Sequence, residues 1–300
     1  MASLRDIKRR IKGVKNISQV TRAMQMISAA KMRRAQEQVL ASRMYAQKAW
    51  EVLTHLSAQP GAIDQLHPLL TQRPIKHSTI ILFTSDRGLA GGYNTNIMKK
   101  AASFIKEKKG KGTPVSVVTV GRKGRDTFAR SGENIVAEFS NIPDRPSLID
   151  VLPIARIALD DFLAGETDEV FLAYTNFVNT IVQKPVVKRL LPLIHGELEE
   201  QAVSVHVADT KRTLAPTYIY EPDPAEMLDV ILPRFTETQI YQAVLEALAS
   251  EHSARMVAMR SATDNASELV ADLTLTYNRV RQEAITKEML DIVGGAEAQK

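Results

Sequence analysis

The stretch of this chain that most suggests phosphate chemistry is Asp86–Asn94, DRGLAGGYN, a glycine-rich loop after an apolar run. In nucleotide-binding folds a loop at this place offers backbone N–H groups and a helix N-terminus to phosphate. The spacing does not follow through. There is no G-x-G-x-x-G, and no Lys-Ser/Thr follows to make a P-loop. Gly88, Gly91 and Gly92 are therefore expected to serve a tight strand-to-helix turn. Gly121-Arg122-Lys123-Gly124 is basic but unspecific. The six histidines (His55, His67, His77, His195, His206, His252) stand apart with no H-x-x-x-H pair, and no G-x-S-x-G occurs. Asp160-Asp161 and Glu199-Glu200 are adjacent pairs, whose side chains diverge on a helix. The absence of cysteine excludes disulfides, thiolate metal sites and thiol switches. No catalytic residue, metal or cofactor is expected.

Charge is distributed unevenly. Residues 1–48 carry twelve Lys/Arg against Asp6 and Glu37, a net +10, while the other 252 residues sum to −5. A one-sided basic helix implies an acidic partner, whether nucleic acid, anionic lipid or an acidic protein surface. Arg9, Arg10, Arg33 and Arg34 mark this basic face. The start, MASLRDIKRRIKGVKN, is basic enough for a transit peptide. Its apolar periodicity begins at once and runs past residue 50, which argues against cleavage. No apolar run approaches the roughly 18 residues of a membrane span.

The elements that must position these groups fall into three stretches. Residues 1–59 contain no proline and one glycine, Gly13; residues 234–300 contain no proline and only Gly294 and Gly295. Both read as long helices, and such lengths suggest a coiled coil. The first is opened by Ser3 and Asp6 as a capping pair. It carries a 3-4 spaced seam: Ile7, Ile11, Val14, Ser18, Thr21, Gln25, Ser28, Met32, Ala35 and onward. The second has Asp223 as N-cap and Pro224 at the first helical position, and Pro233 is expected to kink or restart it. Its seam reads Leu245, Ala249, His252, Met256, Met259, Thr263, Ala266, Val270, Leu273, Tyr277, Val280, Ala284. Serine, threonine and alanine at inward positions bury little apolar area, so an enclosing partner is one reading of this rod and simple irregularity the other. Between the helices, strands are expected at His77–Ser85, Val115–Gly121, Ile135–Phe139, Glu169–Asn176 and Thr180–Arg189. Helices are expected at Thr95–Lys108, Lys123–Arg130 and Ser147–Leu163. That alternation means a mostly parallel α/β sheet. The expected division is 1–59 helix, 60–221 α/β domain, 222–300 helix.

LRDIKRRIKGVKNISQVTRAMQMISAAKMRRAQ at the start, TSDRGLAGGYNTN, YIYEPDP and the closing ASEHSARMVAMRSATDNASELVADLTLTYNRVRQEAITKEMLDIVGGAEA carry a resemblance along essentially the whole length. The chain resembles the gamma subunit of F-type ATP synthase. The resemblance implies an antiparallel coiled coil of the two termini with an inserted Rossmann-like α/β domain. It implies a non-catalytic rotor shaft inside a ring of three alpha and three beta subunits, standing on the membrane c-ring and binding the epsilon subunit. Proton-driven rotation would then drive ATP formation from ADP and phosphate at the beta sites. By the same resemblance Met24 and Arg255 lie near an acidic lever of the beta subunits, and Arg281, Gln282 and Thr286 near a beta loop called the catch. Tyr218 and Glu221 fall where the foot meets the c-ring and epsilon. The missing leader favours a bacterial source, with the protein peripheral on the cytoplasmic face of the plasma membrane. Two rivals are a Rossmann-type enzyme with helical extensions and a basic coiled-coil nucleic-acid binder.

Aligning the seams so that partner numbers sum to 280 or 281 sets Ile7 against Leu273, Ile11 against Val270, Val14 against Ala266, Ser18 against Thr263 and Thr21 against Met259. A one-heptad slip stays open. The first helix then runs out opposite Tyr277. Ile285, Met289, Ile292 and Val293 form an apolar stripe beyond it with no partner in the chain, which the resemblance assigns to a bearing at the top of the ring.

Overall fold

The structure, a computed structural model, describes residues 3–57, 67–193 and 224–297. They divide into two compact units, Met1–Ser28 with Arg255–Lys300, and Ala29–Ala254.

The larger unit is built on a five-stranded sheet. Its strands are β1 (Ser78–Phe83), β2 (Val115–Val120), β3 (Asn134–Phe139), β4 (Glu169–Phe177) and β5 (Gln183–Leu191), in the order β3-β2-β1-β4-β5. The first four run parallel and β5 is antiparallel to β4. β1 and β2 are buried at every position, as continuous apolar runs in a doubly covered sheet require. Alternate residues separate the two faces. Ile80 and Leu82 pack with Ile97, Ala101 and Ile105 of α2 (Tyr93–Gly110) and Phe128 of α3 (Arg122–Arg130). Ile81 and Phe83 pack on the other face with Val151, Ile154 and Phe162 of α4 (Leu148–Leu163) and with Leu228, Leu232, Phe235, Ile240 and Val244. The last five belong to α5, the helix Pro224–Glu297. A short 3-10 turn, Pro68–Leu70, closes this core with Leu69 and Leu70.

The expected elements are present with two corrections. β5 begins at Gln183 rather than Thr180, because the Asn179 side chain accepts the N–H groups of Ile181 (2.9 Å) and Val182 (2.7 Å) and turns the chain there. α5 does not restart at Pro233, which lies inside one continuous helix. Leu232 and Phe235 around it are buried in the core, so tertiary packing outweighs the lost backbone bond. The proposed N-cap Asp223 lies outside the described residues.

The smaller unit pairs the beginning of α1 (Leu4–Ser57) with the end of α5. The Asp6 N–H donates to Ser3 Oγ (3.2 Å) and the Ser3 hydroxyl to the Asp6 carboxylate (2.8 Å), as the capping reading requires. Thr21 Oγ1 and Thr263 Oγ1 lie 2.7 Å apart. Each hydroxyl also reaches a carbonyl of its own helix, Ser18 O at 3.0 Å and Met259 O at 2.8 Å. This pair corrects the register. Partner numbers sum to 284, one helical turn away from the expected Ser18–Thr263 match. Extended along both helices, it sets Ile7 opposite Tyr277, Ile11 opposite Leu273, Val14 opposite Val270 and Ser18 opposite Ala266, all buried or half-buried. The seam positions were legible from spacing, but the offset was not: with so few large side chains, apolar matching barely distinguishes neighbouring registers. Only Ile7, Met259 and Ala266 are buried apolar residues among those described in this unit. An Ile or Met contributes about 1.5–3 kcal/mol when fully buried and Ala much less. The helix pair is thinly held by its own contacts.

Candidate functional site

The Asp86–Gly92 loop is closed on itself. The Ser85 N–H donates to the Asn94 side-chain oxygen (2.9 Å), and Asn94 Nδ2 donates back to Ser85 Oγ (2.7 Å). Asp86 accepts the backbone N–H of Arg122 (3.0 Å) at the start of α3 and that of Asn141 (2.8 Å). A carboxylate thus holds the N–H that a bound phosphate would seek. Gly91 has φ +53, as a turn glycine should. Gly121, with φ +104, brings its Cα so close to β1 that a Cβ there would lie 2.1 Å from Thr84 O. Gly91 and Gly121 thus serve the backbone, whereas Gly88 has open space around it and no positive φ.

Other polar clusters are likewise structural. His77 Nε2 and Ser116 Oγ lie 2.9 Å apart, and Asn134 Nδ2 donates to the same hydroxyl (3.0 Å). Glu169, 5% exposed, is held by Lys108 and by Arg189 at 3.9 Å. Burial raises the Asp161 carboxyl above its ordinary range, with Glu166 and Asp160 adding to it. Among the described residues no group of His, Asp and Glu could hold a metal ion, and no helix is long and apolar enough to cross a membrane. Of the six histidines, His195 and His206 lie outside the described residues.

The surfaces of α1 and α5 are different in kind. Arg9, Arg10, Arg33 and Arg34 are all exposed. Arg9 bonds Asp6 at 3.0 Å; Arg5, Lys8, Arg10, Lys12, Lys15, Arg22, Arg33 and Arg34 have no ion-pair partner among the described residues. Residues 1–28 carry seven Lys/Arg against one Asp, and residues 255–300 six against seven acids. The helix pair of the smaller unit is therefore basic along one helix and near neutral along the other. Met24 is half-buried, while Arg255 keeps only 9% of its surface, so little of it is available to an outside partner. Arg281, Gln282 and Thr286 are exposed, and so are Ile285 (44%), Met289 (58%), Ile292 (71%) and Val293 (59%). The last half-buried position before that stripe is Ala284, so among the described residues α5 continues alone past the end of α1. Leu290, 66% exposed, widens the stripe and escaped the spacing argument because it stands off the 3-4 pattern. Tyr218 and Glu221 lie outside the described residues.

Sequence spacing did not reveal the β3–α4 loop, residues 140–147. Lys31 Nζ of α1 lies 2.9 Å from one Asp144 oxygen and 2.7 Å from the other. Gln38 Nε2 donates to Pro146 O (3.3 Å), as does the Tyr241 hydroxyl of α5 (3.1 Å). His252 Nε2, on a 4% exposed residue, is 3.9 Å from Asp144. Burial alone would raise the Asp144 carboxyl; Lys31, His252 and Arg87 outweigh it and hold it below its ordinary value. These partners are separated by about a hundred residues of sequence, and no local motif marks them.

A pair of long helices with a charged outer face, a polar seam and an exposed apolar end is a surface suited to assembly with other chains. The family described as ATP synthase matches residues 3–299. The ATP synthase gamma chain of Dehalococcoides mccartyi is 52% identical over 298 residues, covering 99% of each chain. That of Chloroflexus aurantiacus is 48% identical over 299 residues, again covering 99% of each. The chain belongs to the ATP synthase gamma chain family. A chain of the Euglena gracilis mitochondrial ATP synthase OSCP/F1/c-ring structure shares the fold with a TM-score of 0.62 at 19% identity, covering 99% of this chain and 94% of that one. A Tetrahymena thermophila central-stalk chain does so with a TM-score of 0.57 at 21% identity, covering 81% and 99%.

Proposed function

We infer that this chain is the central rotor shaft of an F-type ATP synthase, coupling rotation of a membrane c-ring to ATP formation by surrounding alpha and beta subunits. The observation that carries the reading is 52% identity to a gamma chain along 99% of both sequences, joined to a helix pair whose outer face is charged and unneutralised. The subunit itself is non-catalytic. It contributes asymmetry. A ligand shifts a conformational equilibrium only by its differential affinity for the two states, and driving a site from 1:99 to 99:1 takes about 5.5 kcal/mol. A shaft basic on one helix and near neutral on the other presents different surfaces to three surrounding catalytic sites, and turning it moves the bias from one to the next.

The partners are three alpha and three beta subunits, epsilon and the c-ring, with no nucleic acid. The protein is peripheral to the membrane through the complex, on the cytoplasmic face of a bacterial plasma membrane. Arg9, Arg10, Arg33 and Arg34 work against acidic beta loops. Met24 and Arg255 lie by the same lever, Arg255 through the 9% of its surface that stays exposed. Arg281, Gln282 and Thr286 engage the catch loop, and Ile285, Met289, Ile292 and Val293 turn in an apolar collar; the exposure of both sets supports this. Tyr218 and Glu221 meet the c-ring and epsilon. Residues 1–59 and 222–300 form the shaft and 60–221 the globular body.

The test is reconstitution with alpha and beta subunits and a bead tethered through an engineered cysteine, which is unique because the chain has none. ATP should drive unidirectional rotation, and calorimetry of the isolated chain should show no stoichiometric nucleotide binding. Failure to assemble, or a nucleotide site in the isolated chain, would overturn the reading.

A further inference from the structure

The β3–α4 loop grips α1 at two levels and α5 at one. On α1 the grips are Lys31 to Asp144 and Gln38 to Pro146 O. They are seven residues apart, about 10 Å along the helix axis. On α5 the Tyr241 hydroxyl donates to Pro146 O, and His252 Nε2 stands 3.9 Å from Asp144, beyond hydrogen-bond reach. A single contact would leave α1 a pivot, whereas two separated contacts oppose its swivelling; α5 is also anchored in the core through Leu228, Leu232, Phe235, Ile240 and Val244. The loop is itself fastened to the sheet. The Asn141 N–H donates to Asp86 (2.8 Å), which also accepts the N–H of Arg122 (3.0 Å). A polar chain thus runs from α1 and α5 through residues 141–146 to the ends of β1 and β2. Side chains that only decorate a surface do not converge in this way from four elements.

We propose that the Lys31–Asp144 pair and the two donors on Pro146 O form a torque clamp, which keeps α1 from swivelling against α5 and the α/β body under load. This rests on the rotor reading. Asp144 and Pro146 are positioning residues and touch no substrate. α1 and α5 are continuous through this region, so loss of the clamp does not sever the shaft. It adds slack: the body and α5, joined through the core at Leu228, Leu232, Phe235, Ile240 and Val244, turn through a wider angle before α1 follows.

The experiment uses the reconstituted complex with the bead on α3 of the globular body, and records angular fluctuation while the catalytic sites are stalled. Lys31→Met removes one of the two grips on α1 and should raise the mean-square angular excursion above the parent's. Lys31→Arg retains the ion pair and should match the parent. Tyr241→Phe, which removes one hydroxyl and leaves no buried charge, should also broaden the distribution and guards against a misfolded Lys31 variant. ATP hydrolysis should persist in both broadened variants while ATP-driven proton pumping falls. Unchanged fluctuation in Lys31→Met and Tyr241→Phe, in a complex whose parent rotates, overturns the clamp. Equal broadening in Lys31→Arg overturns the ion pair as its basis. A parent complex that does not rotate fails the rotor reading instead.

Discussion

The absence of cysteine allows the helix register to be tested by one engineered bond. Replacing Thr21 and Thr263 by cysteine puts two thiols where two hydroxyls lie 2.7 Å apart. A disulfide needs Cβ atoms about 3.5–4.5 Å apart and sulfurs near 2.05 Å, a small adjustment from that geometry. The alternative pair, Ser18→Cys with Thr263→Cys, belongs to the register expected from apolar matching. Ser18 stands three residues from Thr21, about 4.5 Å along the axis, and its thiol should not reach. The bridged residues are 242 apart in sequence. Loop-closure entropy for a ring of that length gives roughly 5 kcal/mol of stabilisation, an upper figure because the denatured chain is not random. Mild oxidation followed by non-reducing electrophoresis and peptide mapping reads the bond, and urea unfolding with and without reductant reads its contribution. Rapid crosslinking of the 18–263 pair, or none in the 21–263 pair, would refute the register of the helix pair.

Three further outcomes follow from positions already described. Gly121→Ala should cost more than about 3 kcal/mol, because φ +104 is strained for alanine and the new Cβ meets Thr84 O at 2.1 Å; Gly13→Ala, with nothing within 4 Å, should instead gain up to about 1 kcal/mol in helix propensity, both read by denaturant unfolding. Burial depresses His67 below its ordinary 6.5, with Asp229 opposing. The unfolded chain then binds the extra proton, so its contribution to stability is complete above pH 6.5 and declines as pH falls below that value; the unfolding midpoint should drop between pH 7 and 5, and less so in His67→Gln. Asp161 is raised, first by burial and then by Glu166 and Asp160, so Asp161→Asn should stabilise the larger unit at neutral pH by under about 1 kcal/mol; a lower melting temperature would show that the carboxylate has a favourable partner instead.

Most of the α/β body was legible because its signals are local. β1 and β2 are unbroken apolar runs of strand length, and only a doubly covered sheet buries such runs at every position. The helical ends were legible from missing proline and glycine. What failed depends on distant parts of the chain. Pro233 reads as a breaker until the core around Leu232 and Phe235 is present. The register failed because hydroxyl pairs fix it, and Ser18 and Thr21 look alike from sequence. The basic face and the apolar tip were visible as exposed patterns. The β3–α4 clamp was invisible, since Lys31, Asp144 and His252 become neighbours only through the topology of the sheet.

Where the seam is small and hydroxylated, at Ser18–Ala266 and Thr21–Thr263, it also sets a cross-section. Such side chains let two helix axes approach toward the lower end of the usual 8–10 Å, and each helix with its side chains is about 10–12 Å across. The pair is then an oval, roughly 19 Å by 11 Å. A larger seam of Leu and Phe would push the axes apart without making the profile round. An oval turning in a bore works as a cam: its long axis reaches the wall in some directions and leaves clearance in the others. Two-fold outline and three-fold surround cannot be matched at all three stations together, so steric mismatch alone makes the stations unequal before any charge is considered. Substitutions that thicken the seam, Ser18→Leu or Ala266→Leu for instance, would change how far the cam reaches while leaving its outward chemistry untouched.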